Sequence, residues 1–191
     1  MIYLMRHGED DPARLGGWSD AGLTAAGVKQ AEEAAGRLAR SGCPIRRVYA
    51  SDLPRAKETA EIVARHLGME VTLLAAFRET DNGDLAGLPR ERFLAEYPGL
   101  YWSTLAWDQP YPNGESPGRF FGRIREAWTA FRREADALSG DTLLVTHAGV
   151  IDVIRCLESG VPWTNRFMTH RTACAEIVPA GRADHGAAES P

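Results

Sequence analysis

Cysteine is scarce in this 191-residue chain: Cys43, Cys156 and Cys174 make an odd set with no CxxC pair. That argues against a disulfide framework or a cysteine-built zinc site, and it fits the reduced thiols of a cytoplasm. Long apolar runs are missing too. No stretch approaches the roughly 20 apolar residues that a membrane-spanning helix needs. The apolar start is cut by Arg6 and His7 after five residues, too early for a signal peptide. There is no basic excess. The net charge of −4 argues against a general nucleic-acid binder, yet a few arginines can still focus potential in one cleft. Neither Glu9-Asp10-Asp11 nor Asp81-Asn82-Gly83-Asp84 has EF-hand ligand spacing, so no metal or other cofactor is expected. No internal repeat is present, and the expected location is cytoplasmic.

What is present has the rhythm of an α/β protein. Hydrophobic content of 44% and charged content of 25% are ordinary for a globular chain long enough to bury a proper core. Short apolar runs at Ile2–Met5, Arg47–Ala50 and Thr142–Val145 read as central strands of a mostly parallel sheet. A later strand, Ala173 to Val178, is expected to be closed by Pro179. Helical patterns separate them: one after Thr24 as N-cap to about Arg40, one over Pro54–His66, one over Arg119–Leu138, and one from near Gly149 to Glu158. Gly27 is a weak spot inside the first. The alternation predicts helices on both faces of the sheet. Between Leu85 and Gly118 the rhythm breaks into prolines, a short helix near Arg90–Tyr97, and Tyr97, Tyr101, Trp102, Trp107 and Tyr111. This reads as a helical insertion over one end of the sheet, its aromatics either anchoring it or touching a substrate. The expected organisation is one domain over 1–182, the insertion at about 85–118, and a disordered tail at 183–191.

Three strands end in polar residues that carry chemistry: Arg6-His7, Ser51, and Thr146-His147. If these strands are parallel neighbours, they deliver two histidines and a hydroxyl to one rim, where open α/β sheets place ligands. Arg55, four residues after Ser51, can point back to that rim. His147 leads through Ala148 and Gly149 into a helix whose first N–H groups are available to an anion. Guanidinium groups, backbone donors and a nucleophilic histidine together suit a phosphoryl group.

The motifs resemble, in order, those of the histidine phosphatase superfamily, the phosphoglycerate-mutase-like proteins. The matching pieces are Leu4-Met5-Arg6-His7-Gly8-Glu9, Gly17-Trp18-Ser19-Asp20, Leu23-Thr24-Ala25-Ala26-Gly27 and Ser51-Asp52-Leu53-Pro54-Arg55-Ala56. Arg78-Glu79, Gly114-Glu115-Ser116 and Val145-Thr146-His147-Ala148-Gly149-Val150 follow. The resemblance implies a three-layer αβα sandwich with a helical insertion, and a set of roles. His7 would take the phosphoryl group and become phosphohistidine. Arg6 and Arg55 would bind its oxygens, with His147 donating a hydrogen bond to them. Glu79 would protonate the leaving oxygen and then activate water. Gly8 would let the loop turn and hold the His7 ring through its carbonyl. Ser51 would cap the next helix or contact phosphate, Ala148 would offer its N–H, and Arg14 would touch substrate. Arg6 and Arg55 should keep His7 unprotonated and stabilise the transferring charge without a metal. His66, His170 and His185 have no motif support and are expected on the surface or in the tail.

The chain also departs from the family's mutases. Its loop between Glu9 and Trp18 is shorter, and Asp10, Asp11, Pro12 and Ala13 offer no match for the asparagine usual there. Acidic residues in that loop would repel a second anion, and the chain is short for a mutase. The expectation is therefore a phosphomonoester hydrolase acting on a small molecule, monomeric or homodimeric. The alternatives are a cofactor-dependent phosphoglycerate mutase, a phosphohistidine-protein phosphatase and a non-catalytic phospholigand-binding module.

Overall fold

The structure, a computed structural model, describes residues 1–181. The expected tail at 183–191 lies outside the described residues. In chain order the elements are β1 (Ile2–Arg6), α1 (Ala25–Arg40), β2 (Ile45–Ala50), α2 (Pro54–Leu67) and β3 (Val71–Leu73). Then come α3 (Arg90–Glu96), α4 (Pro117–Asp136), β4 (Asp141–Thr146), α5 (Ala148–Ser159) and β5 (Ile177–Pro179). The five strands form one sheet of order β3-β2-β4-β1-β5. All neighbours are parallel except β1 and β5.

Strand alternation divides the core between the two faces of the sheet. Met5, Val48, Leu143 and Val145 face α1 and α2, meeting Ala31, Ala34, Ala35, Leu38, Ala60 and Val63. The small alanines let those two helices lie close. Leu4 and Leu144 face the other way, onto Phe120, Ile124, Trp128 and Phe131 of α4 and Val150, Ile151 and Ile154 of α5. Burying each large side chain contributes about 1.5–3 kcal/mol. The architecture is the expected three-layer sandwich.

The helix ends follow local chemistry. Thr24 caps α1, its side chain accepting from the Gly27 N–H at 3.0 Å, and Gly68 closes α2 in the left-handed region at φ 67°. α4 starts two residues before the expected Arg119, because Ser116 is its N-cap and Pro117 fills the first turn.

Two strands differ from expectation. β3 is three residues long, too short to show a period. β5 is confined to Ile177–Pro179, with Pro179 opposite Tyr3 as part of the ladder rather than beyond it. β5 lies at the sheet's edge, where a missing N–H costs little. The residues before it turn instead: Ala175 has φ 56° and donates its N–H back to the Arg6 and His7 carbonyls at 3.1 and 3.2 Å.

The aromatics of the 85–118 stretch pack on the protein. Trp102 stacks on Tyr111 and meets Phe120 and Trp163; Trp107 meets Phe121 and Trp163; Tyr97 and Tyr101 lie against Phe93. Among the described residues no helix is long and apolar enough to cross a membrane.

Candidate active site

Because β2, β4 and β1 are adjacent and parallel, their carboxyl ends meet. The His7 N–H donates to the Thr146 carbonyl at 2.9 Å, and the Ser51 N–H donates to the Val145 carbonyl at 3.0 Å. The His7 and His147 rings therefore sit 5.1 Å apart, centroid to centroid. Both are almost wholly buried.

The protonation of His7 follows from its partners. Its Nδ1 lies 2.6 Å from the Gly8 carbonyl, which can only accept, so Nδ1 carries the hydrogen. Its Nε2 faces the Arg55 Nε–H at 3.4 Å and must therefore be the bare nitrogen. Burial, reinforced by the Arg55 guanidinium, pushes its pKa down to about 3, while the bond to Gly8 opposes the shift. His7 is thus a neutral imidazole with one defined lone pair.

Gly8 acts differently from the expected turn. A Cβ on it would stand 2.4 Å from the Gly27 carbonyl oxygen, and one on Gly27 would stand 2.1 Å from the Glu9 carbonyl oxygen. The loop after β1 and the first turn of α1 touch backbone to backbone, and this contact explains the glycine inside α1. The Gly8 N–H also donates to Thr59 Oγ1 at 3.0 Å, and that hydroxyl donates on to the Arg55 carbonyl at 2.7 Å.

Arg55 is 1% exposed. Its Nη2 donates to the Gly17 carbonyl at 2.7 Å and its Nη1 faces the Ser19 carbonyl at 3.4 Å. Burial pulls this guanidinium below its ordinary range, opposed by Asp10 and Glu79, and it remains charged because arginine starts so high. Asn82 shapes the loop that meets it: its Oδ1 accepts from the Trp18 N–H at 3.2 Å, beside Gly17 at φ 63°. Arg6 donates to the Thr172 carbonyl at 2.9 Å, while its buried Nε has no hydrogen-bond partner among the described residues.

His147 precedes α5 as its N-cap residue. Its Nε2 lies 2.9 Å from Ser51 Oγ, and its buried Nδ1 has no partner among the described residues. Burial and the charge on Arg55 hold its pKa well below the ordinary value. Ser51 does not cap α2, whose N-cap is Leu53, but accepts from the Leu53 N–H at 3.3 Å. Its hydroxyl is turned to His147.

Glu79 reaches the same rim from the segment between β3 and α3. Its Oε2 accepts from the Gly149 N–H in the first turn of α5 at 3.1 Å, so that donor is already engaged. The neighbouring Ala148 is half-buried at the helix start. Arg123 holds the Glu79 segment by its backbone, donating to the carbonyls of Ala76, Arg78 and Glu79 at 2.8–3.0 Å while paired with Glu115. Trp18 Nε1 donates to the Glu79 carbonyl at 2.7 Å. Arg14 stands on the rim with its guanidinium already engaged, donating to the Gly87 carbonyl at 2.9 Å and lying 3.5 Å from Asp11. Among the described residues no group of three or more His, Cys, Asp or Glu side chains could hold a metal ion.

A buried pair of neutral histidines flanked by two arginines, with a carboxyl group at the helix end, is an arrangement suited to phosphoryl groups. A family model of the histidine phosphatase superfamily (branch 1) matches residues 2–185. The chain belongs to that superfamily. Its similarity to a Salmonella arizonae protein named probable phosphoglycerate mutase GpmB is 36% identity over 183 residues, 93% of this chain and 83% of the relative. Of three other curated relatives it spans 67, 54 and 59% of the length. Among solved structures it resembles the α-ribazole phosphatase from Shigella flexneri, with TM-score 0.78, 26% identity, and 92 and 87% of the two chains covered. It also resembles a mycobacterial glucosyl-3-phosphoglycerate phosphatase, with TM-score 0.75, 27% identity, and 92 and 87% covered.

As a histidine phosphatase superfamily member the chain adds residues that its motifs did not single out. Asp10 pairs with Arg55; Asn82 and Arg123 hold loops. Only spatial contact reveals these. Of the histidines outside the motifs, His66 bonds Glu32 at 2.6 Å on the surface. His170, expected at the surface, is half-buried beside Asp152, and His185 lies outside the described residues.

Proposed function

We propose that this protein hydrolyses phosphate monoesters without a metal, through a phosphohistidine on His7. The observation that carries the reading is the state of His7: Nδ1–H held by the Gly8 carbonyl, Nε2 bare and beside Arg55. That lone pair attacks phosphorus as the ester P–O bond breaks, and the Glu79 carboxyl passes its proton to the leaving oxygen. Glu79, now a carboxylate, takes a proton from water. The hydroxide oxygen bonds to phosphorus, the P–N bond breaks, and the electron pair returns to His7. Arg6 and Arg55 hold the phosphoryl oxygens throughout, supplying fixed positive charge where a metal would otherwise sit.

In this reading His147 donates from Nδ1 to a phosphoryl oxygen. Nε2 must then accept, so the Ser51 hydroxyl donates to it and fixes the tautomer. Replacing Ser51 by alanine is expected to lower kcat by about tenfold, with threonine restoring part of the loss. An unchanged kcat in the alanine variant would assign Ser51 to packing alone.

Phosphate release from a panel of monoesters, measured with a chelator present, tests the proposal. The panel should include α-ribazole 5′-phosphate, glucosyl-3-phosphoglycerate, sugar phosphates, nucleoside monophosphates and a phosphopeptide. Release from at least one ester, with an acid-labile phosphoenzyme, is expected. The relatives named mutases motivate the second arm: 3-phosphoglycerate with and without 2,3-bisphosphoglycerate. Primer-dependent isomerisation with no net phosphate release would make the protein a mutase instead.

A further inference from the structure

One carboxylate stands inside the phosphate cradle. Asp10 Oδ2 lies 3.3 Å from Arg55 Nε, the same nitrogen that faces His7 Nε2 at 3.4 Å. The other two nitrogens of that guanidinium face protein oxygens, Nη1 toward Ser19 and Nη2 toward Gly17. One anionic position on the buried arginine is therefore filled by the protein itself. The Asp10 side chain is 24% exposed against 2% for Arg55, so the partner of the buried cation reaches solvent.

Two guanidinium groups nearby, Arg14 and Arg78, are similarly matched, whereas the buried Arg6 Nε has no partner among the described residues. Arg14 is paired with Asp11 at 3.5 Å and bonded to the Gly87 carbonyl. Arg78 makes a two-pronged pair with Asp52, both bonds 2.6 Å. A cleft of about 500 Å³ adjoins the cradle through Ser19, lined by Asp11, Asp20 and Arg14 as its charged groups. An anion entering there meets two carboxylates and one arginine that is already paired. Like charges raise the energy of an anion beside them by an amount that one substitution can change, and Asp10 is the carboxylate that sits on the cradle arginine itself.

We propose that Asp10 is a specificity-determining residue that reserves the cradle for a single phosphoryl group and rejects esters bearing a second anion close to the phosphate. The substrate class that follows is phosphomonoesters of uncharged or cationic alcohols, with phosphoglycerates and bisphosphates disfavoured. The substrate class rests on the hydrolase reading above; the anion selectivity of the cradle does not.

Glycerol 3-phosphate and 3-phosphoglycerate make the test pair, because a hydroxymethyl group in one replaces the carboxylate of the other. The wild type is expected to favour glycerol 3-phosphate in kcat/KM, and Asp10→Asn to shrink that preference about tenfold, the scale of one unit charge in a partly exposed site. Asp10→Glu, which keeps the charge, should keep the preference. A direct arm uses calorimetry: 2,3-bisphosphoglycerate should bind Asp10→Asn about tenfold tighter than wild type, with inorganic phosphate changing less. A preference and a bisphosphate affinity that both stay within twofold of wild type in Asp10→Asn would overturn the role of Asp10. If neither ester is turned over, the hydrolase reading loses support while the calorimetry still decides on Asp10.

Discussion

His7→Asn is expected to lower kcat/KM for the best ester by at least about 10⁴-fold, since in the proposed mechanism the His7 Nε2 supplies the attacking lone pair. The same variant should be less acid-sensitive than wild type. An unfolded histidine takes up a proton near pH 6.5, whereas His7 in the folded protein, with a pKa of about 3, does not. The unfolded state therefore binds more protons between those values, and stability falls as pH drops through that window. Above pH 6.5 this contribution is fully present. Between pH 6 and 4.5 His7 alone should cost about 1 kcal/mol per pH unit. His147, shifted in the same direction, adds its own slope. Asp152, raised by burial, pulls the other way and does so equally in both proteins. Urea denaturation at several pH values should give a visibly shallower slope for His7→Asn. Equal slopes would mean that the native imidazole is protonated, and the proposed attack by the His7 lone pair would fail.

The central strands were legible because each ends in a polar residue after an apolar run: Met5 into Arg6-His7, Ala50 into Ser51, Val145 into Thr146-His147. Their adjacency was not. β4 lies between β1 and β2 although 90 residues separate it from β2, and only the hydrogen bonds from His7 to Thr146 and from Ser51 to Val145 align the rim. Thr24 announced the start of α1 through local capping chemistry, whereas β3 was too short for a period and β5 began later than its composition suggested. The site was legible where motif order placed His7, Arg55, Glu79 and His147. Asp10 was visible as an acidic residue, yet its place on Arg55 depends on a side chain arriving from α2. Ser51 was likewise visible as a hydroxyl near a helix start, and only the His147 ring beside it decides which way that hydroxyl turns.

Gly8→Ala is expected to destabilise the protein by about 3 kcal/mol or more, and to reduce activity in whatever fraction folds. The residue has an ordinary backbone conformation, so the cost comes from space. Its Cβ would sit 2.4 Å from the Gly27 carbonyl oxygen, far inside contact distance, and the atom it meets is backbone. Relief requires moving either α1 or the loop after β1. That loop carries the carbonyl that holds His7 Nδ1 at 2.6 Å, so the His7 ring turns when the loop yields. Gly27→Ala should behave alike from the opposite side, because its Cβ would meet the Glu9 carbonyl oxygen at 2.1 Å. Gly122, inside α4 with nothing within 4 Å of an added Cβ, provides the contrast. There alanine should stabilise by about 0.5–1 kcal/mol through lower backbone entropy in the unfolded chain. Denaturant titration of the three variants separates the two effects. If Gly8→Ala were as stable as wild type, the backbone contact between β1's loop and α1 could not be what aligns His7.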